Sequence, residues 1–277
     1  MPKKNIGILG CGSIGSNLAL SVDSGSVTNA TIRAVFDIVE NNAKNLKSKM
    51  KGKIEVHSEF QSFLDSSIDL VVEAASQDAI KKYGLPIIES KKELMIMSAG
   101  ALAETDFLSK LLDVTASMKG STMIYIPTGA IAGIDAIRSI RHHVESITLT
   151  TTKSPKALAD APFFQINKIK LDDLTGSALI YEGPAAEAVK MFPANVNVAA
   201  VLSLAGIGVE KTKVKIVVNP YTSTNQHEIL ARGDFGELRI IVNNVPIPGN
   251  PKTSFLALLS ALECLRTICE DNMRIGS

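Results

Sequence analysis

The chain has 277 residues, of which 45% are hydrophobic and 21% charged, and its 29 basic and 28 acidic residues leave a formal net charge of +1. This is the composition of an ordinary globular protein of about two domains, at roughly 100–200 residues each. Trp is absent and no basic stretch interleaves with aromatics, which argues against a nucleic-acid surface, and no apolar run approaches the ~20 residues that a helical membrane span needs.

The three cysteines, Cys11, Cys264 and Cys269, make neither a disulfide framework nor a spaced metal cluster, and no His-x-x-x-His or Cys-x-x-Cys occurs, so no metal site is expected. Free thiols suit a reducing compartment. The apolar stretch that follows Met1-Pro2-Lys3-Lys4 is too short for a signal-peptide core. A cytoplasmic protein is the expectation.

In chain order, residues 5–9 read as a short buried strand running into glycines. Residues 14–22 read as a helix with Ile14, Leu18 and Val22 on one face. A strand over 30–36 ends at Asp37, and a helix rich in Asn and Lys covers 38–50. A short strand is expected near 54–58, a buried one at 68–75, a helix at 78–90 and a strand at 94–98. A helix at 105–118 then leads to a strand at 122–126. Strands alternating with helices of about ten residues or more imply βαβ units and a parallel sheet.

Beyond Ile140 the pattern changes to half-exposed, β-branched alternation at 144–152, 178–182, 212–219, 226–232 and 236–243. The last two runs meet across Gly233-Asp234-Phe235-Gly236, a hairpin turn. One helix, 196–206, is inserted in this region, a short one is read at 184–191, and a long apolar helix spans 252–270. The expected fold is α/β: an N-terminal Rossmann, doubly wound parallel sheet with a second α+β domain built on a mostly antiparallel sheet. Residues 1–136 form the dinucleotide-binding domain and 137–249 the substrate and dimerisation domain. The terminal segment 250–277 is expected to pack back on the first.

The chemistry begins at Gly10-Cys11-Gly12-Ser13-Ile14-Gly15, which follows a strand and opens a helix. In that setting Gly10 permits the tight turn, Gly12 lets backbone approach a pyrophosphate, and Gly15 lets helix and strand pack closely. Ser13 and Ile14 open the helix, whose free N–H groups and dipole attract the anion. Asp37 is placed to accept hydrogen bonds from adenosine ribose hydroxyls, which favours NAD, with NADP left open. Small residues at later strand ends, including Ala75 and Ser76, would let the cofactor approach backbone. His57, His142 and His143 read as solvated or structural. His227 lies on a strand of the second domain, where structural and catalytic roles weigh about equally.

The chain resembles the L-aspartate dehydrogenases nearly end to end. The resemblance rests on Gly-Cys-Gly-Ser-Ile-Gly at 10–15, Val-Glu-Ala-Ala-Ser-Gln at 72–77, Ser-Ala-Gly-Ala-Leu-Ala at 98–103 and Pro-Thr-Gly-Ala-Ile-Ala-Gly-Ile-Asp-Ala at 127–136. It continues through Thr-Thr-Lys at 151–153, Glu-Gly-Pro-Ala-Ala-Glu-Ala at 182–188, Phe-Pro-Ala-Asn-Val-Asn-Val-Ala-Ala at 192–200, Asn-Gln-His-Glu-Ile at 225–229 and Asn-Pro-Lys-Thr-Ser at 250–254.

The resemblance implies NAD(P)-dependent oxidative deamination of L-aspartate to iminosuccinate, oxaloacetate and ammonia, with a role in NAD biosynthesis as one physiological outlet. It implies that His227 is the active-site histidine and that Ala130 and Asn197 contact the nicotinamide cofactor. Two substrate carboxylates call for donors or cations, for which Asn225, Lys153, Thr253 and Ser254 are the candidates, with Arg232 and Lys252 behind them. A homodimer or higher homo-oligomer is expected, since the open face of the second sheet needs cover. The alternatives are another two-domain Rossmann oxidoreductase, of dihydrodipicolinate-reductase or homoserine-dehydrogenase type, and a non-catalytic NAD(H) sensor.

Overall fold

The computed structural model describes residues 3–169, 171, 175–193, 197–247 and 250–270, with the side chains of 250–252 outside that description. The chain divides into two compact units, one of residues 1–127 with 258–277 and the other of residues 128–257.

In the first unit the elements are β1 (Lys4–Leu9), α1 (Ser13–Asp23), β2 (Ala30–Phe36), α2 (Glu40–Lys49), β3 (Glu55–His57), α3 (Phe60–Leu64), β4 (Leu70–Glu73), α4 (Gln77–Glu89), β5 (Glu93–Ile96), a 3-10 turn at Ala99–Ala103, α5 (Thr105–Ser117) and β6 (Ile124–Tyr125). All strands are parallel, in the order β3-β2-β1-β4-β5-β6. The order reverses between β1 and β4, so their carboxyl ends flank the topological switch point where such sheets take ligands. Helices cover both faces, and Ile6, Ile8, Leu70, Val71, Val72, Leu94, Met95 and Ile96 are fully buried. This is why the strands read as continuous apolar runs. The strand expected over 68–75 pairs only through Glu73, because residues 74–76 leave the ladder to form a loop. The strand expected over 122–126 shrinks to Ile124–Tyr125.

The second unit contains α6 (Ile134–Ile140), β7 (Val144–Lys153), α7 (Pro155–Leu158), α8 (Pro162–Asn167), β8 (Ala178–Pro184), α9 (Ala185–Met191), α10 (Asn197–Ala205), β9 (Lys213–Val218), β10 (Asn225–Gly233), β11 (Gly236–Asn244), β12 (Pro246–Ile247) and β13 (Asn250–Ser254). Its main sheet runs β11-β10-β7-β9-β8 and is antiparallel except between β7 and β9. Three helices beyond those expected, α6 to α8, lie among the described residues, and α9 falls on the expected 184–191. Their short apolar stretches are too brief to carry a helical period.

Two boundaries differ from expectation for physical reasons. Residues 128–136 join the second unit because the Ala130 carbonyl accepts from Asn244 at 2.9 Å and Gly133 packs directly on Ile240. The terminal helix α11 (Phe255–Cys269) starts three residues later than the expected 252. Residues 250–254 are instead strand β13, paired with β12, and Pro251 biases the residue before it toward extended backbone. From Leu258 onward α11 belongs to the first unit, where the Arg266 guanidinium donates to the Ser26 carbonyl at 3.0 Å. Residues 271–277 of the expected terminal segment lie outside the described residues.

An aromatic cluster anchors the second unit. Phe192 is fully buried, stacks on Phe163 at 4.9 Å between centroids and meets Tyr181 and Phe164 edge-on. Phe192→Ala is expected to cost about 3–5 kcal/mol, read as a lower urea midpoint with unchanged slope. A loss below about 1 kcal/mol would remove this cluster as the unit's anchor.

Candidate functional site

In the first unit the glycine loop is shaped by what surrounds it. Gly10 has φ +96°, and a Cβ there would lie 2.7 Å from the Ala75 Cβ. A Cβ on Gly15 would lie 1.9 Å from the Gly10 carbonyl oxygen, so only glycine lets α1 pack this closely on the turn. Gly12 is the residue before α1, offers no side-chain cap, and a Cβ on it would meet nothing within 4 Å. Ser13 and Ile14 follow in the first turn, leaving unpaired N–H groups beside open space. That is a cradle into which a pyrophosphate fits. A cavity of about 420 Å³ adjoins it, lined among others by Cys11, Gly12, Ser13, Asn17 and Asn42.

Asp37 follows the end of β2, as expected for a ribose acceptor, but its carboxylate also has a structural task. It accepts the Cys11 N–H at 2.7 Å, the Val39 N–H at 2.8 Å and the Asn42 amide at 3.4 Å. Asp37 thus ties the glycine loop to the end of β2. Burial pushes the Cys11 thiol up to about 12, with Asp37 adding to the effect, so it is no thiolate at neutral pH. Ala75 is on the loop after β4, and its N–H donates to Glu73 at 2.8 Å. The Ser76 hydroxyl caps α4 by accepting the Ala79 N–H at 3.1 Å, a helix-capping role that sequence spacing had not separated from cofactor contact.

In the second unit strand alternation turns alternate residues to the covered face. Antiparallel registration places His227 directly opposite Thr151. The Thr151 hydroxyl lies 3.0 Å from His227 Nδ1. Lys153 follows two residues along the same face of β7, and Asn225 two residues before His227 on β10. All are inside: Thr151 is 0% exposed, His227 and Asn225 2%, Lys153 3%. The Asn225 amide donates to the Ser254 hydroxyl at 3.3 Å. Thr253 precedes Ser254 on β13, Asn197 opens α10, and Ala130 is buried with its carbonyl held by Asn244.

Electrostatics follow from that burial. Desolvation pushes the Lys153 ammonium down to about 8. Desolvation, aided by repulsion from Lys153, pushes His227 down to about 3, so its imidazole is neutral at physiological pH. Arg232 does not join the cluster: it pairs with Glu237 at 2.7 Å on the surface. Glu182 pairs with Lys213 and Lys215 across β8 and β9, each at 3.3 Å. The Lys252 side chain lies outside the described residues. Among the described residues no group of three or more His, Cys, Asp or Glu could hold a metal, and no helix is long and apolar enough to cross a membrane.

Sequence reasoning missed Thr151, Asn244 and Glu73. Thr151 sits in a run of threonines whose alternation with Lys153 is visible, but its partner strand is not. Asn244 carries no local signal at all.

Comparison with known proteins matches residues 135–268 to the family described as aspartate dehydrogenase, C-terminal, and residues 10–126 to the homoserine dehydrogenase NAD binding domain. The L-aspartate dehydrogenase of Nitrosopumilus maritimus is 47% identical over 274 residues, covering 99% of this chain and 100% of that protein. That of Methanococcoides burtonii is 42% identical, covering 98% and 99%. The crystal structure of aspartate dehydrogenase from Thermotoga maritima superposes with a TM-score of 0.75 at 29% identity, covering 99% of both chains.

Burial of His227 has a thermodynamic signature. The unfolded chain takes up a proton near the ordinary value of 6.5, whereas the folded one resists until about 3. Unfolding therefore binds protons in that window, so the stability held by neutral His227 is complete above it and is lost as pH falls through it. His227→Asn is expected to flatten the decline of the urea midpoint between about pH 7 and about pH 4. A decline as steep as in the unsubstituted protein would contradict burial of a neutral imidazole.

Proposed function

The chain belongs to the aspartate dehydrogenase family, and from that premise we propose that it oxidises L-aspartate with NAD to iminosuccinate, which water converts to oxaloacetate and ammonia. The observation that carries the chemistry is the buried grouping of His227, Thr151 and Lys153 on one sheet face. The glycine loop and Asp37 support the dinucleotide half of the reading, and a carboxylate at Asp37 favours NAD because it would repel a 2′-phosphate. The glycine loop and Asp37 would hold the dinucleotide, which would supply the acceptor for the hydride of the substrate α-carbon.

The side chains have three tasks. The substrate amine must be neutral when the hydride leaves, so a base has to take a proton from its ammonium form. His227 is neutral and its Nδ1 is engaged by Thr151, which leaves Nε2 for that proton. The Lys153 ammonium pairs with a substrate carboxylate. That pairing cancels the repulsion that helps hold His227 down and brings negative charge beside it, so the imidazole becomes a stronger base once aspartate is in place. Asn225, Thr253 and Ser254 offer amide and hydroxyl groups to the other carboxylate. Once His227 has passed that proton to solvent it takes another from the water that attacks the imine carbon, and it returns this one to the nitrogen, which leaves as ammonia. Ala130 and Asn197 take the nicotinamide-contact roles that family resemblance implies.

The test is NADH formation at 340 nm with aspartate and NAD, repeated for His227→Ala and Lys153→Met. His227→Ala is expected to lower kcat by about 10²–10⁴ with NADH affinity nearly intact, and Lys153→Met to raise KM for aspartate chiefly. Absence of turnover on aspartate at any pH from neutral to alkaline would reject the assignment.

Self-association through the outer face of the second unit's sheet is part of this proposal. That face leaves Leu179 and Ile241 half exposed amid ion pairs such as Arg239–Glu228 at 2.8 Å. Sedimentation is expected to give a dimer that Ile241→Glu dissociates; a monomeric unsubstituted protein would rule the interface out.

A further inference from the structure

We propose that Glu73 is a positioning residue for the nicotinamide half of the dinucleotide site, acting by tying the loop after β4 to the loop after β5. The proposal rests on the dinucleotide reading of the glycine loop.

Glu73 is the last residue of β4 and is 0% exposed. The parallel ladder between β4 and β5 ends at its carbonyl, which accepts the Met97 N–H at 3.0 Å. Past that point the two segments no longer pair with each other, although the Ala74 N–H still donates to the Leu9 carbonyl at 2.8 Å, and the Glu73 carboxylate links them instead. One oxygen accepts the Ala75 N–H and the Ser98 hydroxyl, both at 2.8 Å, and the other accepts the Ser98 N–H at 3.0 Å. Burial of the carboxylate raises its pKa, and the donors from Ser98 and Ala75 oppose that rise. A side chain with two acceptor oxygens is what three converging donors require, and a neutral amide cannot meet them all.

The position of this clamp defines its task. A dinucleotide seated with its pyrophosphate on the loop after β1 and its adenosine ribose at Asp37 has its first half on the β2 side. Its nicotinamide half then lies over the carboxyl ends of β4 and β5, where Glu73 and Ser98 sit. The adenosine side has its own ties: the Gly10 N–H donates to the Phe36 carbonyl at 2.8 Å and the Cys11 N–H to Asp37 at 2.7 Å. Loss of the Glu73 clamp therefore frees the Ala75 N–H and the loop 97–99, while Ala74 stays tied to the Leu9 carbonyl and the glycine loop stays anchored to β2.

The experiment compares NADH and ADP binding by titration calorimetry in the unsubstituted protein, Glu73→Gln and Ser98→Ala, with thermal midpoints recorded alongside. Glu73→Gln is expected to weaken NADH by about 10-fold or more and ADP by no more than about 2-fold, since a charge-assisted buried bond is lost on one side only. Ser98→Ala keeps the carboxylate and both N–H donors, from Ala75 and from residue 98, and removes only the hydroxyl. It is expected to shift NADH in the same direction by a smaller factor, and it carries the test if Glu73→Gln does not fold. KM for NAD should rise in step with the NADH constant. Equal weakening of NADH and ADP, or NADH affinity unchanged in a folded variant, overturns the positioning role. An unsubstituted protein that binds neither nucleotide overturns the dinucleotide reading itself, and this proposal with it.

Discussion

The chemistry of the second unit depends on the registration of β7 against β10. That pairing sets His227 against Thr151 and brings the Lys153 ammonium onto the same covered face. A slip of β10 by one residue would turn His227 to the face opposite Thr151 and Lys153, because side chains alternate between faces. Burying an ammonium costs on the order of several kcal/mol, so the arrangement is not one that stability alone would favour. What it supplies is a neutral imidazole beside a cation, a combination matched to an anionic substrate whose amine must lose a proton.

The first unit answers a different constraint, the close approach of backbone to backbone. Gly15 against the Gly10 carbonyl, and Gly10 against Ala75, draw the loop after β1 tight between α1 and the loop after β4. The two acidic residues Asp37 and Glu73 then hold the neighbouring loops by accepting N–H groups that the strands no longer pair. Carboxylates suit this work, since each can take several donors at a turn where ladder bonds run out. The result is a row of strand ends held at set spacing, which is what a long, two-part nucleotide needs.

Much of the first unit was legible in the chain because its signals are local. Gly10 to Gly15 announce a strand-to-helix turn within six residues, and the strand ending before Asp37 shows as an apolar run that stops at an acid. The long helices carried enough turns to display their period. The short elements mostly did not: α6 to α8 are each seven residues or fewer, and β13 runs into the helix that follows it. There the backbone follows partners supplied from elsewhere in the fold, and local propensity is too weak to resist them.

The site divides along the same line. By itself the sequence located the glycine turn between β1 and α1, the acid after β2 and, through resemblance to a known family, the histidine proposed for the site. Only the tertiary structure decided that Thr151 meets His227 across 76 residues of chain, that Lys153 lies buried near both, and that Glu73 joins two loops. The physical reason is the range of the interactions. A glycine turn is written in neighbouring residues, whereas strand registration and the desolvation that sets the charge of a buried side chain exist only after distant segments have packed.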